Sequence, residues 1–408
     1  MKILIVTPYL PYPNVPHAGG QQIMDTIDFL SKENEVHVLS LVSHEEKSYK
    51  QLLERRISKL HTMTFERLKA GKLGILVKLK VTLFRIYALL YSAIKGVPYL
   101  VAKYHSPKFH GLIKKITSEE KFDIVELHFS FMGQYLSAVD QGKKILFEHD
   151  VSLKPFKRFY KAATGITEKA IKGIDYIRWI KYEKAIAEKS DLVVTVGMED
   201  RDLLKSVAPS AKIVICNPAI PVFDIEVKQK KKNSLVFMGA LDRVKTNVDA
   251  VIYFIEQIFP LVKKEVGDSK LFVIGPNAPD YLLDKANEDV VFTGYLTEPE
   301  QFMAECNVFV APIRYGGGVK IKILYAMAVG IPVVTSTIGA EGIKAEKDRD
   351  FVIEDEPQQF SKRVVSLLRD DKLQMSVGKN GLEFVRLNHS KEKRSKSVLN
   401  YYLNLLPK

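Results

Sequence analysis

Twice along this chain, short apolar runs of strand length alternate with helical stretches, and that alternation constrains the fold more than any single motif. "KILIVTPY", the helical "GGQQIMDTIDFLSKE" and "EVHVLSLV" open it, and "FDIVELHFS", "KKILFEHD" and "SDLVVTVG" continue it. The helical "GIDYIRWIKYEKAIAEKS" lies between the last two. After "CNPAIPVFDIEVKQKKKNS" (216–234) a second set follows: "LVFMGAL", "KLFVIGP", "VVFTGYL", "NVFVAPI" and "IPVVTS", with helices between them. Strands that are apolar along their whole length are buried on both faces, so each set predicts a parallel, doubly wound α/β sheet. At 408 residues two such domains fit. The expected division is 1–218, a linker at 219–233, 234–388, and a closing helix over 389–408 that packs back on the N-terminal domain. Two Rossmann-like domains facing a central cleft are the expectation, with ligands outside the carboxyl ends of the strands.

Composition excludes several classes. Cys216 and Cys306 are the only cysteines and belong to no CxxC or Cys/His group, which argues against a disulfide scaffold or a structural zinc and for a cytoplasmic setting. The apolar run of "MKILIVTPYLPYP" is too short for a signal-peptide core. The formal charge is +13, with a local rise over 67–96 where Lys78, Lys80, Arg85 and Lys95 punctuate apolar residues. That interruption rules out the ~18–20 apolar residues of a membrane span. It leaves an amphipathic helix packed on its own domain, or one lying peripherally on an anionic inner membrane face. Nucleic acid is disfavoured, because no zinc finger, RNP-like aromatic run or discrete basic domain is present.

The chemistry gathers at strand-to-helix turns. Gly316, Gly317 and Gly318 follow "NVFVAPI" and open a helix, where glycine allows close backbone approach and free N–H groups favour phosphate. Lys320 and Lys322 add charge, and the spacing is not that of a Walker A loop. "GALDRVKTN" (239–247) brings Arg243 and Lys245 to another such turn, fit to clamp a diphosphate. In "PHAGGQQ" Gly19 and Gly20 stand between the first strand and first helix, without the GxGxxG of an NAD site. His128 and His149 each end a strand. "DRD" at 200–202 opens a helix, where acids favour the N-terminal dipole, and is not read as a metal site.

In this order the segments resemble the retaining GT-B glycosyltransferases of the family 4 type, over nearly the whole chain. The segments that carry it are the N-terminal glycine pair, the strand ending in His128, "GALDRVK", "VVFTGYL" and "GGGVKIKILYAMAVGIPVV". The resemblance implies a nucleotide-sugar donor held by the C-terminal domain and a carbohydrate or lipid-linked acceptor presented by the N-terminal one, with no metal and no cofactor. It assigns the diphosphate to the N–H groups of Gly316 to Val319 and to Lys245. It assigns the donor sugar to His128, the catalytic candidate, and leaves His149 on the acceptor side. Three positions depart: the family's two acids fall on Gly317 and Tyr325, and its arginine falls on Ala240, with Arg243 nearby as a stand-in. Tyr325 thus stands where a ribose-binding glutamate is expected. An active sugar transferase is the leading expectation. A degenerate GT-B protein serving as scaffold or partner subunit of another glycosyltransferase is the second, and a two-domain nucleotide-sugar epimerase the third.

Overall fold

The structure, a computed structural model, describes residues 1–13, 15, 18–65, 75–227, 229–241 and 244–406, with the side chains of 18, 75–78 and 80 left aside. It divides into two units, Met1–Cys216 with Ser395–Lys408, and Asn217–Arg394.

The first unit is built on β1 (Lys2–Thr7), β2 (Glu35–Val42), β3 (Lys59–Thr64), β4 (Ile124–His128), β5 (Lys143–Glu148), β6 (Leu192–Thr195) and β7 (Ile213–Ile215). They form one sheet in the order β3-β2-β1-β4-β5-β6-β7, and all pairings are parallel. Residues 3–7 and 124–128 are buried without alternation, as strands covered on both faces require. The order reverses between β1 and β4, so the loops after Thr7 and His128 leave the sheet on opposite faces and open a crevice at their carboxyl ends.

The second unit repeats the plan. β8 (Ser234–Met238), β9 (Lys270–Ile274), β10 (Val290–Gly294), β11 (Val308–Ala311), β12 (Val333–Thr335) and β13 (Val352–Ile353) pair in parallel in the order β10-β9-β8-β11-β12-β13. Its switch point lies between β8 and β11. The turns after those two strands are the ones that carry "GALDRVKTN" and the three glycines.

The lysine run expected as a solvated linker is held to the second unit instead. Lys230 Nζ donates to Gln374 Oε1 at 2.8 Å, Lys231 pairs with Glu305 and lies over the Phe302 ring, and Lys232 pairs with Asp268. Side chains that find an amide and two carboxylates within one domain order the run against it. The closing helix, Lys391–Leu403, crosses between units: its first turn belongs to the second and Ser395–Lys408 to the first.

One backbone contact positions the β8 turn. Gly239 N donates to Ile274 O at 2.9 Å, and a Cβ on Gly275 would fall 2.0 Å from Gly239 O. No side chain fits there without parting the two chains. Gly275→Ala is expected to lose about 2 kcal/mol of stability in urea unfolding; a midpoint equal to that of the wild type would show that the two turns part without cost.

Candidate functional site

In the second unit the glycine turn is forced by its backbone. Gly316 has φ 114° and Gly318 φ 67°, values that side chains rarely tolerate. The turn lies on the start of the helix Lys245–Tyr253: a Cβ on Gly316 would sit 3.3 Å from Thr246 Cγ2, and Tyr315 Oη donates to Lys245 O at 3.2 Å. Arg314 fixes the approach, its Nε donating to Asp249 Oδ2 at 2.9 Å and its guanidinium lying over the Tyr253 ring. Lys320 Nζ donates to Gly317 O and Gly318 O, both at 2.7 Å, so a cation ties the turn to itself. Val319 is half-buried and packs on the core beneath. The helix Ile321–Val329 then starts, and Gly330 (φ 83°) ends it in a left-handed cap before Pro332. Lys245 and Gly316 to Gly318 are therefore brought together, with Lys245 exposed. Arg243 lies outside the described residues.

Lys322 is the unusual charge. Its Nζ donates to Asn247 Oδ1, stands 4.8 Å from the centre of the Phe237 ring, and would touch a Cβ on Gly239 at 2.8 Å. Asn247 in turn donates through Nδ2 to Ala240 O at 2.8 Å, so one buried amide orients both the lysine and the β8 turn. Among the described residues no carboxylate pairs with Lys322. Desolvation first, and the neighbouring Lys320 charge second, push its pKa down to about 7. A partly dehydrated amine without an acid partner, beside a glycine turn and a second lysine, is a place that favours an anion.

Tyr325 does not stand alone. Its hydroxyl donates to Glu300 Oε2 at 2.8 Å, and its ring meets Phe223 edge-on at 4.9 Å. Burial, then the bond and charge of Glu300, raise the phenol pKa. Asn247 and Glu300 are residues the sequence reading passed over. Asn247 sits two places after Lys245 in the same turn, whereas Glu300 opens a separate helix, Pro299–Ala304, and no local pattern connects it with Tyr325.

The first unit gathers its own candidates around Phe129. Gly19 and Gly20 lie in the first turn of the helix Ala18–Leu30, and a Cβ on Gly19 would meet Tyr9 Oη at 2.8 Å and Phe129 Cζ at 2.9 Å. Phe129 holds φ 74°, ψ 140°, a strained conformation for an aromatic residue, of the kind that collects at functional sites. Its ring stacks on His149 with centroids 4.3 Å apart. His128 Nδ1 is 3.0 Å from His149 Nε2, and Glu126 Oε1 is 3.0 Å from His128 Nε2. His128 has no exposed surface, while His149 keeps 9%. The two strand-end histidines thus form a series, with His149 the member nearer the surface.

For a metal, one group among the described residues has suitable spacing: His37, His61 and Glu120, whose ligand atoms lie within 4.8 Å of one another. Both Glu120 oxygens are already taken by ammonium groups, Lys2 at 2.7 Å and Lys59 at 2.6 Å, which hold its pKa down at about 2. That cluster reads as a salt-bridge network. In "DRD", Asp200 is buried and Asp202 pairs with Arg201.

Residues 232–370 match the family model for glycosyl transferases group 1. Over 413 residues the chain is 23% identical to an uncharacterised 44.6 kDa protein in the cps region of Klebsiella pneumoniae, covering 97% of this chain and 98% of that one. It is 26% identical over 176 residues to the capsular polysaccharide biosynthesis glycosyltransferase CapM of Staphylococcus aureus, 41% of this chain and 46% of CapM. Among solved structures it is similar to sucrose-phosphate synthase from Thermosynechococcus elongatus, with a TM-score of 0.69, 16% identity and 99% of both chains covered. It is also similar to an S. aureus TarM mutant in complex with fondaparinux, alpha-GlcNAc-glycerol and UDP, with a TM-score of 0.68, 13% identity, and 98% and 100% covered. The fold is GT-B. The stretch matched by the family model contains Lys245, Asn247, Glu300, Gly316 to Gly318, Lys322 and Tyr325.

The depressed Lys322 pKa has a consequence for stability. An amine that drops from 10.5 unfolded to about 7 folded binds fewer protons in the native state between those values, so its contribution to stability rises with pH across that window. Lys322→Met should therefore raise the melting temperature by about 2–4 °C at pH 6, and the gain should shrink toward pH 10. A gain independent of pH would mean the amine is not desolvated.

Proposed function

We propose that the protein is a glycosyltransferase that moves a sugar from a nucleotide-diphosphate donor to a carbohydrate or lipid-linked acceptor, with retention of configuration and without a metal. The observation that carries this is Lys322, an acid-free, partly dehydrated amine beside the glycine turn at the β8–β11 switch point. A diphosphate leaving group accumulates negative charge as the glycosidic bond breaks. Fixed N–H groups and lysines stabilise that charge where bulk water is excluded, the role a metal plays elsewhere. Lys245, on the helix that the turn touches, supplies a further charge from the exposed side. The likeness to TarM, whose solved complex contains UDP, favours a UDP-sugar, and the name of CapM favours a polysaccharide product. Retention rests on the family resemblance.

On this reading the ribose acceptor is Glu300. Tyr325 occupies the position where a helix carboxylate was expected and holds the Glu300 carboxylate by one oxygen, leaving the other to accept from a hydroxyl. On the acceptor side, the contact with the sugar passes from His128, which has no exposed surface, to His149.

Calorimetric titration of UDP and GDP tests the reading. The wild type should bind at least one of them, with proton uptake near pH 7.5 as Lys322 regains its charge. Lys322→Met should weaken binding by ~1.5–3 kcal/mol, the scale of a charge-assisted hydrogen bond. No binding of either nucleotide would favour a scaffold subunit over an enzyme.

Among the described residues no helix is long and apolar enough to cross a membrane. The helix Ile75–Lys95 nonetheless leaves Leu83, Leu89, Leu90 and Ile94 exposed, Ile94 at 78%. Residues 67–74 of the basic stretch lie outside the described residues. A second helix, Ile166–Lys189, is joined to the first by Arg178 Nη1 donating to Ser92 Oγ at 3.2 Å, and it exposes Ile166, Ile171, Ile174 and Ile177. Two touching helices with bare aliphatic faces, flanked by exposed Arg85, Lys95 and Lys169, match an anionic bilayer surface in charge and in polarity. The protein should co-sediment with phosphatidylglycerol vesicles at low salt and release as salt rises. Ile94→Glu with Ile171→Glu should abolish that binding, and binding by this variant would assign it to charge alone.

A further inference from the structure

Two buried acids lie together at the start of the helix Leu153–Ala162, and the site described above uses neither. Glu183, on the helix Ile166–Lys189, accepts from Ser152 N at 2.6 Å through Oε1 and from Leu153 N at 3.3 Å through Oε2. The helix Leu153–Ala162 has no side-chain cap of its own, so a carboxyl from another helix serves the N–H groups that open it. Glu148, the last residue of β5, is 1% exposed, and among the described residues neither of its oxygens has a hydrogen-bond partner. The charges that act on it most strongly belong to Glu183, then to Asp200 on the helix Met198–Val207 and to Asp150 just past the strand. Neutral groups complete its surroundings: Thr195 opposite it on β6, Ser130, and Tyr182, whose hydroxyl donates to Ser130 O at 2.9 Å. The bases of the helix Leu153–Ala162, which are Lys154, Lys157, Arg158 and Lys161, are half-buried or exposed.

We propose that Glu148 and Glu183 form a proton-operated latch, which holds the start of this helix closed while Glu148 is a neutral acid and frees it when Glu148 ionises. The roles divide by hydrogen bonding. Glu183 accepts from two amides and can carry a charge, whereas Glu148 has no donor and fits its place only in the neutral form. Burial first, then the Glu183 and Asp200 charges, raise the Glu148 pKa well above 4.5, against an opposing effect of the Ser130 hydroxyl. Burial also raises that of Glu183, to about 8, although the two amides oppose it. Glu183 therefore ionises first and Glu148 last. An acid raised in the closed form keeps a proton that the open form releases, so closure weakens as pH rises from 4.5 through the closed-form values. Two charges in one dry place separate by letting the helix start part from Glu183. Ser152 lies three residues past His149, so the latch sets how firmly the segment carrying that histidine is held. This consequence for transfer rests on the transferase reading, but the latch does not.

The test is hydrogen exchange of the Ser152 and Leu153 amides in full-length protein without ligand, corrected for the intrinsic effect of pH. Above pH 8 Glu183 is already ionised, and Glu148 alone has a proton to release on opening. The corrected exchange of the wild type should then rise about tenfold per pH unit, the slope of one proton. In Glu148→Gln, which keeps a neutral group of the same shape, it should stay level over that range. Glu148→Met, which cannot ionise either, is the second variant and should behave alike. Trp179 gives an independent signal, because it is the chain's only tryptophan, lies one turn before Glu183, and packs on Phe156 of the latched helix at 5.3 Å between ring centroids. Its quenching by acrylamide should increase above pH 8 in the wild type, reversibly, and not in the two variants. Level exchange in the wild type would overturn the proposal, as would variants that keep its slope. The expected slope in a protein that binds no nucleotide would keep the latch and sink the transferase reading instead.

Discussion

Everything at the candidate site of the second unit depends on one reversal of strand order. β8 pairs with β9 on one side and β11 on the other, so the connections leaving β8 and β11 depart in opposite directions. No helix can cover the seam they leave at the carboxyl ends. The chain lines it with what a polar, uncovered backbone tolerates: Gly239 beside Gly275, and the Gly316–Gly318 turn against Thr246. Side chains are excluded at Gly275 because the two turns approach within backbone distance, with Gly239 N donating to Ile274 O and Gly275 N to Gly294 O.

The electrostatics of that seam are arranged by omission. Several other cations of this second unit find acids: Arg314 meets Asp249, Lys231 meets Glu305, Lys263 meets Asp289. Lys322 meets an amide instead. Asn247 can accept from the amine but brings no negative charge, so the bond orients Nζ without neutralising it. The cost is visible in the depressed pKa, and it is a cost the bound anion would remove. A carboxylate at position 247 would offset the lysine within the fold and leave less attraction for a ligand.

Much of this was legible in the sequence because central parallel strands leave a strong trace. "ILIV" within the first strand and "VFVA" are apolar at every position, since both of their faces are covered. The edge strands β3 and β13 were not legible: "KLHTMT" is only half-buried and "VI" is two residues long, so neither shows a period. The glycine turn, Lys245 and Lys322 could be read locally, because each lies within a few residues of a strand end. The order of the two histidines could not. His128 and His149 each end a strand, and only packing against Glu126, Phe147 and Phe129 decides which one is enclosed. Glu300 was hidden for the same reason, since it meets Tyr325 across a separation that no spacing rule covers.

Tyr325 shows how a departure from a family pattern is offset in three dimensions. A glutamate on the helix Ile321–Val329 would present two acceptor oxygens from a rigid element. With tyrosine there, the phenol reaches further and spends its hydroxyl on Glu300, which lies on the short helix after β10. A carboxylate is thus present on the short helix Pro299–Ala304 and steadied by the tyrosine of the neighbouring helix, with the Phe223 edge closing the third side. Simple restoration of the acid at 325 would then bring two carboxylates to one partly buried place, where the second charge is repelled by the first and lacks the phenol donor that now stabilises it. The acid and the tyrosine are a coupled pair, and either can be exchanged productively only together with the other.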